Sequence, residues 1–534
     1  MLTSQKKASG MMTGVVILMA ASMAEKILGV VFKIPLYNFL GNVGMGYFNA
    51  AYSIFSTFYT ISLTGFPIAV SIMVSKSSSA GRKNEVNSIF KVELLTFVII
   101  GLVGSLAMFF GSDIIANIID AQNNSSLCIK AIAPILFIIC VSGSIKGYFQ
   151  GHRNMKATAI SELLDAFGKS FLGVIFALYA HNIGMSTEIC AMYALIGVTS
   201  GHLLGLLFLI LYKRFCNIEY QEPISNKSAS MRDILKTLFS IAVPITISSI
   251  SLGLMSNIDT FTIMNSLKSA DAMAQYGAYT TLAVTLFRLP QAFILPISSA
   301  LTPTLSSTVS SGDTARSKFV MRSALKLMAV IAMPCTFGMS IFSYPIIYFL
   351  FGSGNSINTI KESAPYLSVL SIGIFFMSML TITSSILQSF KFEKKPMIST
   401  FFGAITKFVL NLILVSSFGI AGAPISSVIG YFVMAAINLY FVAKYVYPEL
   451  KIVNIVSKSF VSSIIMGLLS AAFYFLITHI GIGIRVSLIF TIIFAVMVYI
   501  TVLLCIRGID KDDILLMPYG EKIYKALYKL HLIK

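Results

Sequence analysis

Charge is what this 534-residue chain has least of. Charged residues make up 11% of it against 56% hydrophobic, with only 21 acidic side chains and a mean hydropathy of +0.86. That leaves too little polar surface to cover a soluble globule of this length, which excludes a soluble domain and implies a polytopic membrane protein. Cysteine is scarce as well. The six, Cys128, Cys140, Cys190, Cys216, Cys335 and Cys505, are scattered with no CxxC or metal-ligand spacing. They exclude a disulfide framework or a metal centre and read as small apolar residues. Long outer loops are missing too. The connections at 37–45, 182–186, 265–271 and 351–362 are too short to fold as a domain, so the activity is expected within the membrane and without a cofactor.

What is present is a succession of apolar runs, fourteen by our count from 11–36 to 483–506, each long enough to cross a bilayer as a helix. The net charge of +18 would suggest nucleic acid in a soluble protein. Its distribution says otherwise: with the N-terminus inside, 29 of the 39 Lys and Arg fall in inner segments and only Lys130, Lys268, Lys361 and Arg485 in outer ones. This asymmetry follows the positive-inside rule, places both termini in the cytoplasm and removes nucleic acid as a partner. Lys6 and Lys7 ahead of the first run, with Ser22 and Ala24 after it, mimic a secretory signal. Cleavage would invert the charge count, so the first helix is expected to be retained.

The first twelve runs form two similar halves. At an offset of 229, Tyr47 meets Tyr276 and Pro67 meets Pro296; at an offset of 238, Gln150 meets Gln388, Lys156 meets Lys394 and Lys169 meets Lys407. The expected organisation is an N-terminal six-helix lobe at 1–215, a cytoplasmic linker at 216–233, a second six-helix lobe at 234–446, two further helices at 447–506 and a basic amphipathic tail at 507–534. That tail, with its stretch GEKIYKALYKLHLIK, is expected on the anionic inner leaflet. Two like-oriented six-helix bundles enclose a cavity that opens to either side by rocking, so the fold class is an all-α membrane transporter.

Ionisable groups within spans are functional candidates by default, each with a structural rival. Lys26 and Lys33 are seven apart and share a helical face; Lys33 either snorkels to the headgroups or lines a cavity, and Glu25 neutralises Lys26 or balances charge elsewhere. Glu162, Asp165 and Lys169 share another face, where Asp165 and Lys169 either pair at i,i+4 or serve a cavity. Lys407 and Asn411 are likewise four apart. Arg288 precedes Pro290 and Pro296 in FRLPQAFILP; it cannot shed its charge, so it is expected to face water or an anion. The prolines, and the Gly65 and Pro67 break in SLTGFPIAVS, are candidate hinges. Asp259 in SNIDTFTIM is a candidate for a coupling cation or proton, while His202 reads as a packed histidine. Basic residues outnumber acidic ones in the spans, which favours an anionic substrate such as a diphosphate.

The stretches KILGVVFKIPLYNFLGNVGMGYFNAAYSIF, SLTGFPIAVSIMVSKSSSAGRKNEV, GYFQGHRNMKATAISELLD and FGIAGAPISSVIGYFVMAAINL resemble the stage V sporulation protein B and MurJ-like group of the multidrug/oligosaccharidyl-lipid/polysaccharide exporter superfamily. The resemblance covers nearly the whole chain. It implies a monomeric, non-enzymatic flippase of the bacterial cytoplasmic membrane, working by alternating access on a lipid-linked diphosphate glycan among membrane lipids, with cell-wall synthesis proteins as further partners. Sodium, protons or the membrane potential would drive it. It also implies diphosphate binding by Lys33 and Arg288 and a lipid-tail groove at the last two helices; Lys26, Lys169 and Lys407 are further candidate substrate cations by their place within the spans. The second helix departs from the group's pattern, having no basic residue between Asn49 and Val74. The rival readings are a cation-coupled multidrug exporter, which needs an acidic cavity, and a membrane-embedded glycosyltransferase, which needs a sizeable outer loop with carboxylates.

Overall fold

The computed structural model describes residues 2–63, 65–79, 81–119, 124–152, 154–215, 230–267, 271–352 and 357–508; side chains before Met23, that of Lys26 and those at some further helical positions lie outside the description. The linker segment 216–229 and the tail from 509 are outside it too. Every regular element among the described residues is helical. The chain forms two compact units, Met1–Thr281 with Asn411–Ile420, and Leu282–Leu410 with Ala421–Lys534.

The first unit holds α1 (Leu2–Leu63), α2 (Gly65–Ser79), α3 (Lys83–Phe110), α4 (Ser112–Ile119), α5 (Ser126–Ile132), α6 (Ile135–Gly151), α7 (Met155–Asn182), α8 (Thr187–Phe215), α9 (Met231–Ser266) and α10 (Ala272–Ala278). The second holds α11 (Thr285–Phe287), α12 (Gln291–Ser310), α13 (Thr314–Ile341), α14 (Ser343–Phe351), α15 (Ile357–Ser389), most of α16 (Lys394–Phe418), α17 (Gly422–Tyr445), α18 (Ile452–His479) and α19 (Ile484–Cys505). Eleven stretches among the described residues are long and apolar enough to cross a bilayer, rather than fourteen. The difference has a simple source. Met23–Ser78 and Lys394–Tyr445 each run through two of the sequence segments, and the segment at 234–264 is not among the eleven.

Apolar runs become helices here because lipid offers no partner for a bare peptide group. What shapes them is punctuation. α1 is two helical limbs joined at Gly41, whose φ of 61° is a left-handed value that a side chain would strain. The limbs fold back on each other. Lys33 and Asn49, which a straight helix would hold about 24 Å apart, lie in hydrogen-bond contact, and the Phe32 and Phe48 rings stand 6.0 Å apart. The run at 272–304 is likewise not one helix. It passes from α10 through a π-helical turn, Tyr279–Val284, to the short α11 and a tight turn at 288–290 before α12 starts.

In the first unit, α7 and α8 meet along small residues. A Cβ on Gly201 would come within 2.1 Å of the Lys169 backbone nitrogen, and one on Gly197 within 2.4 Å of the Gly173 Cα. With no hydrophobic drive between helices in lipid, such close approach supplies the packing energy. The same seam draws α7's charged face inward. Gly201→Ala is expected to force the helices apart and cost about 1–3 kcal/mol, because the clash is with backbone and has no rotamer to escape into; a lowered thermal midpoint in detergent checks this. On the other side of the unit, Val70, Val74, Ile145, Phe149 and Leu209 form a buried apolar cluster with Leu238 of α9. In the second unit, Tyr499 of α19 donates to the Val330 carbonyl of α13 at 2.8 Å, and Phe473 and Phe494 stack at 4.3 Å between α18 and α19.

Candidate functional site

The α7–α8 seam assembles a charged cluster inside the first unit. Lys146 of α6 lies 3.2 Å from Asp165 of α7, with both side chains nearly buried, and the His202 Nδ1 of α8 stands 3.7 Å from the same carboxylate. Lys169 of α7 reaches Glu25 of α1 at 3.0 Å. Asp165 and Lys169 therefore do not pair with each other at i,i+4. Each finds a partner across a helix interface, because a buried charge gains more from a facing group at hydrogen-bond distance than from a neighbour along its own helix. Glu162 is half-buried on the same face and acts electrostatically on Lys146. Tyr59 of α1 lies beside this cluster, feels the charge of the three carboxylates and packs its ring on His202 at 6.0 Å. Among the described side chains, Glu25, Glu162 and Asp165 thus come together with Lys146, Lys169 and the His202 imidazole.

Lys33 belongs to a different arrangement. Its Nζ donates to Asn49 Oδ1 at 3.0 Å, and Asn49 Nδ2 donates to Thr280 Oγ1 at 3.0 Å and Thr281 Oγ1 at 2.8 Å, in the π-helical turn. The ammonium is directed into the protein, so the snorkelling reading is set aside. Arg288 occupies the turn at 288–290 between α11 and α12 and is exposed; Gln291 N–H closes that turn on its carbonyl at 3.2 Å. Pro290 follows directly and Pro296 lies within α12. Asp259 of α9 is buried and accepts from Asn411 Nδ2 at 2.9 Å, while the same nitrogen donates to Thr262 at 2.8 Å. Lys407 is buried, 2% exposed, in the α16 segment of the second unit. Gly65 is the first residue of α2, where a Cβ would come within 2.4 Å of the Ala242 carbonyl of α9, and Pro67 sits in the first turn of α2. The Lys26 side chain is outside the described residues.

Sequence reasoning missed Lys146 as a member of this cluster. Lys146 is the single charge in the apolar stretch ILFIICVSGSIKGYF, which was the available signal. Glu93 of α3 is a further buried charge, opposite Ser144, in a stretch KVELLTFVII that also holds Lys91.

The second unit carries an apolar groove of about 320 Å³ lined by Met333, Phe376, Met379, Phe432, Val453 and Phe460, from α13, α15, α17 and α18. Of the last two helices only α18 contributes a wall.

Comparison with known proteins fits this geometry. The polysaccharide biosynthesis protein family matches residues 11–309, more than half of the chain, and the MatE family matches residues 244–413. Stage V sporulation protein B of Bacillus subtilis (strain 168) is 25% identical over 95% of this chain and 97% of its own length. Lipid II flippase MurJ of the same organism is 24% identical over 79% of this chain and 80% of its own. Among solved structures, the inward closed conformation of lipid II flippase MurJ superposes with a TM-score of 0.67 at 17% identity, covering 91% of this chain and 98% of that one. The chain belongs to the polysaccharide biosynthesis protein family, alongside the stage V sporulation protein B and MurJ-like group of the multidrug/oligosaccharidyl-lipid/polysaccharide exporter superfamily.

Proposed function

We propose that this multi-pass membrane protein flips an undecaprenyl-diphosphate-linked cell-wall precursor, lipid II or a related lipid-linked oligosaccharide, from the inner to the outer leaflet by alternating access. The observation that carries the reading is Lys33, a cation within a span whose ammonium is turned into the protein and held there by an amide. A charge so placed costs about 2.5–3.5 kcal/mol on insertion scales, which calls for a use. An anionic headgroup supplies it. Arg288, exposed and permanently charged, is the second cation for the diphosphate. The apolar groove suits a polyprenyl tail. In this reading Lys169, which pairs with Glu25 at 3.0 Å, balances charge rather than holding the substrate.

The cluster of Glu25, Glu162 and Asp165, three carboxylates gathered within the spans, is the seat we assign to a coupling proton or sodium ion. Both termini lie in the cytoplasm of a bacterial cell in this reading. The same acidic cluster, with the MatE match, favours as second reading a cation-coupled multidrug exporter. The test is a reconstituted assay of lipid II accessibility at the outer leaflet, with and without a sodium gradient. Translocation that depends on the protein is expected; an absence of it, together with restored drug resistance in an exporter-deficient strain, overturns the reading in favour of the second.

A further inference from the structure

Three lysines of the first unit point into the protein, and they differ in what they meet. Lys146 and Lys169 meet carboxylates, whereas Lys33 meets an amide. That amide is fixed at both ends. Its oxygen accepts from Lys33, and its nitrogen donates to two threonine hydroxyls of the π-helical turn. A lysine can only donate, so the oxygen of Asn49 must face it, and the NH2 group is thereby aimed at the turn. Asn49 is 6% exposed, so water does not readily exchange with these bonds. A carboxylate here would accept as well but would add a negative charge beside Lys33, as Asp165 does beside Lys146. An apolar side chain would remove this tether from the ammonium. π-Helical turns are rare and concentrate at functional sites, and this one separates the Asn49 contacts from Arg288 by seven residues.

We propose that Asn49 is a positioning residue for substrate recognition: it ties the Lys33 ammonium to the π-helical turn without contributing negative charge, and so sets the preference for a diphosphate anion. The inference rests on Lys33 acting as an anion ligand, as proposed above.

Binding of farnesyl diphosphate to the full-length protein in nanodiscs tests it. Asn49→Asp keeps an acceptor for Lys33, and the threonine hydroxyls can turn to donate, so the variant is expected to fold with a near wild-type thermal midpoint. Its affinity should fall about tenfold or more, the worth of one charge-assisted contact. Asn49→Gln, neutral and longer, should recover part of it. In a Lys33→Ala background Asn49→Asp should change little, because its effect passes through Lys33. Unaltered affinity in Asn49→Asp, or an equal loss in both backgrounds, overturns the proposal. If wild-type protein fails to bind the diphosphate, the flippase reading falls, and the role of Asn49 is decided by acetic anhydride labelling of Lys33 followed by mass spectrometry. Asn49→Leu should then raise the labelling rate several-fold and Asn49→Asp lower it; equal rates in all three proteins overturn the assignment.

Discussion

Asp165→Asn is expected to destabilise the protein by about 3–5 kcal/mol, the cost of leaving one member of a buried ion pair uncompensated. The side chains of Lys146 and Asp165 are 5% and 9% exposed, so neither charge is hydrated to any extent in place of its partner. His202 is left with a neutral amide in place of a carboxylate in the same step. Lys146→Met alone should cost a similar amount. The double variant, Asp165→Asn with Lys146→Met, should recover most of the loss, because replacing both charges removes the desolvation problem together with the attraction. Thermal midpoints of the four proteins in detergent form a double-mutant cycle; additive losses would show that the two groups do not act on one another.

Lys33→Ala combined with Arg288→Ala is expected to abolish precursor translocation while leaving the fold intact. The structural cost is small because Arg288 is exposed and Lys33 is only half-buried. The functional cost is large. Each charge-assisted contact to a phosphate contributes about 1.5–3 kcal/mol, so losing two amounts to about two orders of magnitude or more in binding. Arg288→Lys should be intermediate, since an ammonium replaces the bidentate fork with a point charge. Lipid II accessibility at the outer leaflet of proteoliposomes, read beside the thermal midpoint, is the measurement. Full transport by the double alanine variant would sink the assignment of these cations.

How much of this was legible in the sequence varies with the kind of interaction. Runs such as 157–181 and 483–506 lie within two residues of α7 and α19, because apolar length and turn residues set a membrane helix locally. Two features were not accessible that way. The π-helical turn at Tyr279–Val284 carries no residue that announces it, and the apolar run at 272–304 reads as one helix until threonines 280 and 281 are seen to face Asn49. The charge partners escaped for a related reason. Spacing along α7 brings Asp165 and Lys169 to one face, but which groups oppose that face depends on the glycine seam with α8 and on the first limb of α1. Chain-order reasoning sees faces. It does not see what is set against them.

The fold-back at Gly41 has a consequence for chain length. Lys33 lies eight residues before that glycine and Asn49 eight after, so their meeting depends on a residue count as much as on residue type. One residue inserted anywhere between 34 and 48 would rotate the far limb by about 100° and carry Asn49 away from both Lys33 and the threonines. The interval is therefore a fixed ruler within the chain. In a homologous sequence, a lysine and an asparagine spaced symmetrically about a glycine would mark this arrangement even where the flanking apolar residues have all been replaced.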